Sequence, residues 1–228
     1  MHIRRKISKW NILLVPLMLI MLTVVGYIAY LQFFSGDLRS APIPDKEYGV
    51  NSPDGYKQGQ DLVNEPWEID STLDAQVLIK SVHMQAPLVS LGDEFIRGVK
   101  NMALPEPPEA TLYSKSAPLG SKTGKTVIAS HVDHGQGYRT PFSNMHKIEK
   151  GTPVMVKGFD GKIHWYRVKA MSVYLHAAIP EQYFTKAGSN ELVLVTCSGP
   201  TQFSGEQTYY LYNLVVVAEP LDEKPIDW

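Results

Sequence analysis

The sequence predicts an all-β fold, a barrel or a sandwich, preceded by one N-terminal transmembrane helix. Three observations predict it. Apolar runs of four to eight residues recur along the chain with turn residues between them, about as a half-buried strand requires. Helical stretches are few and short. A long uncharged apolar run stands behind a basic N-terminus.

That run comes first. Arg4, Arg5, Lys6 and Lys9 precede residues 12–34, which are almost wholly apolar. A helix of that length crosses a hydrocarbon layer of about 30 Å. The basic flank predicts a cytoplasmic tail over 1–10, an anchor over 11–34 and a translocated remainder. A cleaved signal peptide would have an apolar region of about 7–15 residues ending in small side chains. Here the run is longer and ends in Tyr30, Leu31, Gln32, Phe33 and Phe34, so a retained anchor is expected. Pro16 and Gly26 are tolerated in a membrane helix. Residues 35–70 carry Pro, Gly, Asn and Asp without a sustained period, the pattern of a linker. Trp67 is the expected first docking residue.

From there strands are expected over 75–79, 82–91 and 125–131. A hairpin is expected from 153–158 through the Asp160-Gly161 turn into 162–173. Leu192-Val-Leu-Val makes an apolar strand over 191–197, and Val215-Val-Val another over 209–218. Helices are expected only over 92–101 and 141–148. The folded domain is placed at 71–220, with 221–228 as a tail. Repeats and low-complexity blocks are lacking.

Composition excludes several functions. The chain has 228 residues, 44% hydrophobic, enough for one domain with a core. A net charge of −1 gives no electrostatic case for nucleic acid. One cysteine among 228 residues rules out an internal disulfide framework. Phosphate-loop and Gly-x-Ser-x-Gly motifs are absent. His131-x-x-His134 with Asp133 lacks a third well-spaced ligand, so neither metal nor cofactor is expected.

The single thiol is Cys197, at the end of an apolar strand and before Ser198-Gly199-Pro200, which is expected to turn. A thiol becomes a good nucleophile as the thiolate, from an unperturbed pKa of about 8.5, and a nearby imidazole can help it there. Of seven histidines, His131 also ends an apolar strand. Neighbouring strands could therefore present both groups at one rim. A buried, inert thiol is the other reading of a lone cysteine.

Leu192-Val-Leu-Val-Thr-Cys197 resembles the sortase strand ending in Thr-x-Cys or Thr-Cys. Thr126-Val-Ile-Ala-Ser-His131-Val-Asp133 resembles the sortase strand ending in Gly-His-x-Asp. Phe142, Met145, Ile148, Gly151 and Val154 match the stretch that follows it, and Asn213-Leu-Val-Val-Val-Ala resembles the last barrel strand. Ala86-Pro-Leu-Val and the prolines between Pro105 and Pro108 also fit. The resemblance covers roughly residues 70–220 and looks nearest to the class E and F sortases of actinobacteria.

The resemblance implies an eight-stranded β-barrel with short helices, on the outer face of a Gram-positive membrane. It implies cleavage of a Leu-Pro-x-Thr-Gly (LPXTG) type sorting signal between Thr and Gly. Cys197 would be the nucleophile and form a thioacyl enzyme. His131 would protonate the leaving amine and help activate the incoming one, from a cell-wall precursor or a pilin lysine. Thr196 would help hold the substrate or the oxyanion. The expected partners are surface proteins with such signals, the amine acceptor, and the membrane through 11–34.

Two departures stand out. Ser130 replaces the Gly before the His. More seriously, sortases carry an Arg on the last strand beside the Cys. Leu211 stands in that place by alignment, with Asn213 or Tyr209 reached by a slip, and Arg is absent after Arg167. Arg139 and the Asn213 amide are the expected substitutes, since Arg167 alternates with inward Tyr166 and Val168. Tyr138, Tyr209, Tyr210 and Tyr212 could line a groove or simply pack. Two functions therefore stand: a membrane-anchored cysteine transpeptidase, or a degenerate sortase-fold binding or accessory protein with little turnover.

Overall fold

The computed structural model describes residues 68–96, 98–133, 139–176, 178–204 and 207–228. The expected anchor, most of the linker, Trp67, His134 and Tyr138 lie outside them. Among the described residues, no helix is long and apolar enough to cross a membrane.

The chain alternates apolar and polar residues at period two, so each strand has two faces. Ten strands form: β1 (Gln76–Ile79), β2 (Met84–Leu91), β3 (Asp93–Ile96), β4 (Val99–Met102), β5 (Ala110–Tyr113), β6 (Lys125–Ala129), β7 (Pro153–Lys157), β8 (Ile163–Leu175), β9 (Glu191–Ser204) and β10 (Gln207–Leu221). Eight close a barrel in the order β1-β2-β5-β6-β9-β10-β8-β7, and β3-β4 make a separate hairpin. Closure leaves the barrel sheet without an open edge. The β2–β5 and β6–β9 pairs are parallel. The other barrel pairs are antiparallel.

One face of each strand fills the interior. Ile79, Met84, Ile128, Val154, Tyr166, Leu192, Leu194, Leu214 and Val216 belong to this core. Phe142, Met145 and Ile148 join it from a 3-10 helix at Pro141–Lys147 and its C-terminal cap. The period that predicts a helix over 141–148 therefore reflects real packing. A second apolar cluster lies on the opposite face of β6, β9 and β10, with Val127, Ala129, Val193, Val195, Val215 and Val217. Met102, Leu104 and Tyr113 pack against it, as do Tyr174, Ile179, Tyr183 and Phe184.

Two expectations are corrected, and one strand is added. Residues 92–101 form no helix; they make β3 and β4, with Gly98 at positive φ between them. The β-branched Ile96 and Val99 flanking that glycine suit a turn between strands. β5 escapes the sequence reading because four residues between turns carry no period. Ser198-Gly199-Pro200 does not turn the chain: β9 continues through it to Ser204. Gly199 takes φ 78, and a Cβ there would lie 2.4 Å from the Tyr212 ring. The irregularity becomes a register shift between Tyr210 and Tyr212 rather than a chain reversal.

Candidate active site

The parallel β6–β9 pair sets the geometry. Lys125 faces Glu191, Val127 faces Val193 and Ala129 faces Val195. Ser130 extends the ladder by donating its N–H to the Val195 carbonyl at 3.3 Å. The Thr196 hydroxyl donates to the Ser130 carbonyl at 2.9 Å. In step with this register, the next residues along the two strands are His131 and Cys197. On the other side of Cys197, Asn213 of β10 is its direct partner. Paired residues on antiparallel strands share a face. Cys197 and Asn213 thus continue the outer stripe Val193–Val195 and Val217–Val215, not the barrel interior.

The backbone at His131 is held from several directions. Thr140 Oγ1 donates to the His131 carbonyl at 2.5 Å and accepts from the Phe142 N–H at 3.2 Å. Ser143 Oγ donates to the Val132 carbonyl and accepts from the Thr140 N–H. The cap of the 3-10 helix therefore also anchors the histidine strand end, and the buried Phe142 and Met145 fix that helix in the core. Ser130, 1% exposed, satisfies its hydroxyl on the Glu109 carbonyl at 2.9 Å. That bond is why a serine fits where the family has glycine.

Thr196 is 4% exposed, and its position alternates with Cys197. Its hydroxyl serves as a tie between β9 and the His131 strand end. Asn213 is 9% exposed. Leu211 is not the residue opposite Cys197. It falls within the register shift between Tyr210 and Tyr212, and its carbonyl accepts from the His176 N–H at 2.7 Å. Asn213, not Leu211, is paired with Cys197. Arg167 is occupied elsewhere, in two hydrogen bonds to Asp227 at 2.8 Å each and one to the Gly151 carbonyl. Arg139 forms a backbone bridge with Asp133.

Asp133 and Tyr210 are the residues that sequence reasoning missed as a pair. The Tyr210 hydroxyl donates to Asp133 Oδ2, linking β10 to the segment after His131. The motif His131-Val-Asp133 was visible, but its partner on β10 depends on the shifted register.

Burial pushes the Cys197 thiol up, and the negative charge of Asp133 pushes it further, to about 11. Both effects disfavour the thiolate. Tyr210 is also raised, by burial first and then by Asp133 and Cys197, so its hydroxyl stays protonated. Burial lowers His146 from its ordinary value, with the charges of Lys147 and Arg139 adding to this. Among the described residues, no cluster of His, Cys, Asp and Glu is arranged to hold a metal ion.

The outer cluster forms an apolar surface leading to the thiol. One wall is the connection between β8 and β9. It is pinned to β6 by Lys125 N–H to the Thr185 carbonyl at 2.8 Å and Gly124 N–H to the Gly188 carbonyl at 3.1 Å. Gly124 permits the close approach, since a Cβ would lie 2.6 Å from the Lys186 backbone. Tyr174 and Tyr183 join their hydroxyls at 2.8 Å along this wall.

The thiol within β9 and the histidine just past its parallel neighbour β6 lie on one closed eight-stranded barrel. The sortase domain model matches residues 77–221. The chain belongs to the sortase family. It is 26% identical over 163 residues to Sortase SrtE2 of Streptomyces coelicolor, covering 66% of this chain and 60% of that protein. The chain thus spans less than two thirds of that relative's length. Similar solved structures include sortase A from Corynebacterium diphtheriae, at TM-score 0.49 and 18% identity, covering 67% of this chain and 62% of that one. Another is sortase E1 from Streptomyces coelicolor with a tripeptide in its active site, at TM-score 0.47 and 20% identity, covering 67% and 90%.

Proposed function

We propose that this protein is a membrane-anchored extracellular cysteine transpeptidase that cuts an LPXTG-like sorting signal. The observation that supports the reading is the β6–β9 register, paired through Ala129 and Val195, since two further residues on each side lead to His131 and Cys197. In the reading, Cys197 attacks the Thr carbonyl and His131 protonates the departing glycine amine. Asn213 donates its amide N–H to the oxygen that gains charge. A thioacyl enzyme results, and an amine from the cell wall or a pilin resolves it. Thr196 holds the histidine strand end in step, and so supports substrate placement indirectly. Arg139 is the first Lys or Arg after His131 and the second candidate for substrate contact.

A binding or accessory role is favoured by one observation: the thiol is pushed up to about 11, with a carboxylate acting on it. Intact-mass measurement separates the readings. The full chain in detergent is incubated with a panel of Leu-Pro-x-Thr-Gly peptides. The transpeptidase reading expects an acyl adduct on Cys197 that is lost in Cys197→Ala. The same adduct in Cys197→Ala would end the mechanism. No adduct on any peptide, with a thiol still open to small alkylators, would favour the binding role.

A further inference from the structure

The site contains a carboxylate that works against its own nucleophile. Asp133 follows His131 by two residues, and its partner Tyr210 lies on β10 three residues from Asn213, the residue paired with Cys197, so the Asp133 charge bears on the thiol. Its Oδ2 accepts the Tyr210 hydroxyl, which fixes the carboxylate between the His131 segment and β10. The backbone bridge to Arg139 holds the same segment from its other side. An anion in this place hinders formation of the thiolate. It suits a cation arriving beside the thiol instead. The second half of the proposed reaction has such a cation, because a primary amine reaches the site largely as its ammonium ion.

We propose that Asp133, held in place by Tyr210, is the recognition site for the ammonium form of the amine acceptor. This rests on the transpeptidase reading above. The ammonium pairs with Asp133 next to the thioester and gives one proton to His131. The freed amine then attacks the thioester carbonyl, a C–N bond forms and the C–S bond breaks. The second nitrogen proton passes to the departing Cys197 sulfur. The products are an amide, a neutral thiol and a protonated His131, so atoms and charge balance. A fixed carboxylate in a half-buried site attracts a cation more strongly than one in open water. It therefore selects amines by charge, and it concentrates them over water at the acyl enzyme.

The test measures partitioning of the acyl enzyme between aminolysis and hydrolysis in the full chain. Two acceptors are compared: glycinamide, part of which is ammonium near neutral pH, and hydroxylamine, which is uncharged there. Asp133→Asn should lower the aminolysis-to-hydrolysis ratio for glycinamide about tenfold, the effect of losing one modest charge contact. The ratio for hydroxylamine should change less than about twofold by the same reasoning. The alkylation pKa of Cys197 should fall in the same variant. An equal loss for both amines would mean a structural role, and an unchanged glycinamide ratio would mean no role; either overturns the proposal. If Asp133→Asn does not fold, the unmutated protein still decides. Raising salt to about 0.5 M should erode the advantage of glycinamide but not that of hydroxylamine, because added ions screen charge. A salt-independent advantage would overturn it. Should the unmutated protein form no acyl enzyme, the transpeptidase reading itself fails, which is distinct from a normal acyl enzyme with unaltered partitioning.

Discussion

Cys197 differs from a free thiol through two neighbours: the apolar surface that buries it and the Asp133 carboxylate. Both raise its pKa, so in the free protein the neutral thiol prevails at pH 7. The rate of alkylation by iodoacetamide should therefore climb with pH and reach half its limit near 11. A midpoint at or below the ordinary thiol value of about 8.5 would show that the environment is reversed, for example by an imidazolium. The residue opposite Cys197 is Asn213, a neutral amide. Asn213→Arg should lower that midpoint and speed acylation, whereas Leu211→Arg, at the register shift, should do neither. In other enzymes one oxyanion donor is worth about 10²–10³ in rate, so a gain of tenfold or more is expected from the stronger donor. Equal behaviour of the two variants would show that strand register does not determine which side chain meets the thiol.

Further along β9, at the end away from the thiol, a buried ion triad ties strands together. Glu191 is flanked by Lys125 of β6 and Lys169 of β8, and both lysines reach its carboxylate. Burial alone would raise the Glu191 pKa, but the two lysines overcome it and hold the group below its ordinary value. A depressed carboxylate stabilises the fold above its unfolded pKa, and the contribution disappears as pH falls through the folded value. Stability from this triad is therefore complete at neutral pH and declines below the ordinary value of 4.5. Glu191→Gln leaves two lysines without their shared anion. Lys169 is partly exposed, so solvent screens its half of the triad, and a loss of about 1 kcal/mol, read as a drop in the urea midpoint, is expected. Because β6 and β9 also carry His131 and Cys197, acylation should slow in proportion to any loosening of that pair. A variant as stable as the parent between pH 5 and 8 would show that the triad is not a structural tie.

At the scale of the whole barrel, the chain ends by folding back on it. Trp228 meets Trp165 edge to face, with ring centroids 4.7 Å apart. Asp227 takes both Arg167 nitrogens, and the Lys80 ammonium lies 5.0 Å from the Trp228 ring centre. Residues 222–228 are thus less a free tail than a clasp joining β8 and the turn after β1. Aromatic pairs add about 0.5–1.5 kcal/mol beyond the area they bury. Removing Asp227 and Trp228 should lower the thermal midpoint by a few degrees while leaving Cys197 alkylation unchanged. An unaltered midpoint would show that the clasp contributes nothing to stability. The barrel around it is closed, so the loss should be local rather than a collapse of the sheet.

Much of this was legible in one dimension. Alternation located β1, β2, β6, β7, β8 and β10 to within a few residues, and the start but not the end of β9, because a closed barrel needs one apolar face on every strand. The same alternation turned Arg167 away from the core, as observed. Cys197 and His131 were singled out by the resemblance of their strands to the sortase motifs rather than by spacing. The β3–β4 hairpin did not stand out: its exposed Phe95, Ile96 and Val99 face solvent, and a period without burial looks like a helix as easily as a strand. The residue that meets the thiol was equally hidden. Side chains change faces with each one-residue step, so the β9–β10 register decides that Asn213 rather than Leu211 stands opposite Cys197. The link between Asp133 and Tyr210 crosses from one strand end to another, and such a contact exists only once the barrel closes. Strand identity follows from local patterning, which the order of residues carries in full. The composition of the site follows from register between distant strands, which depends on the packing of the entire barrel.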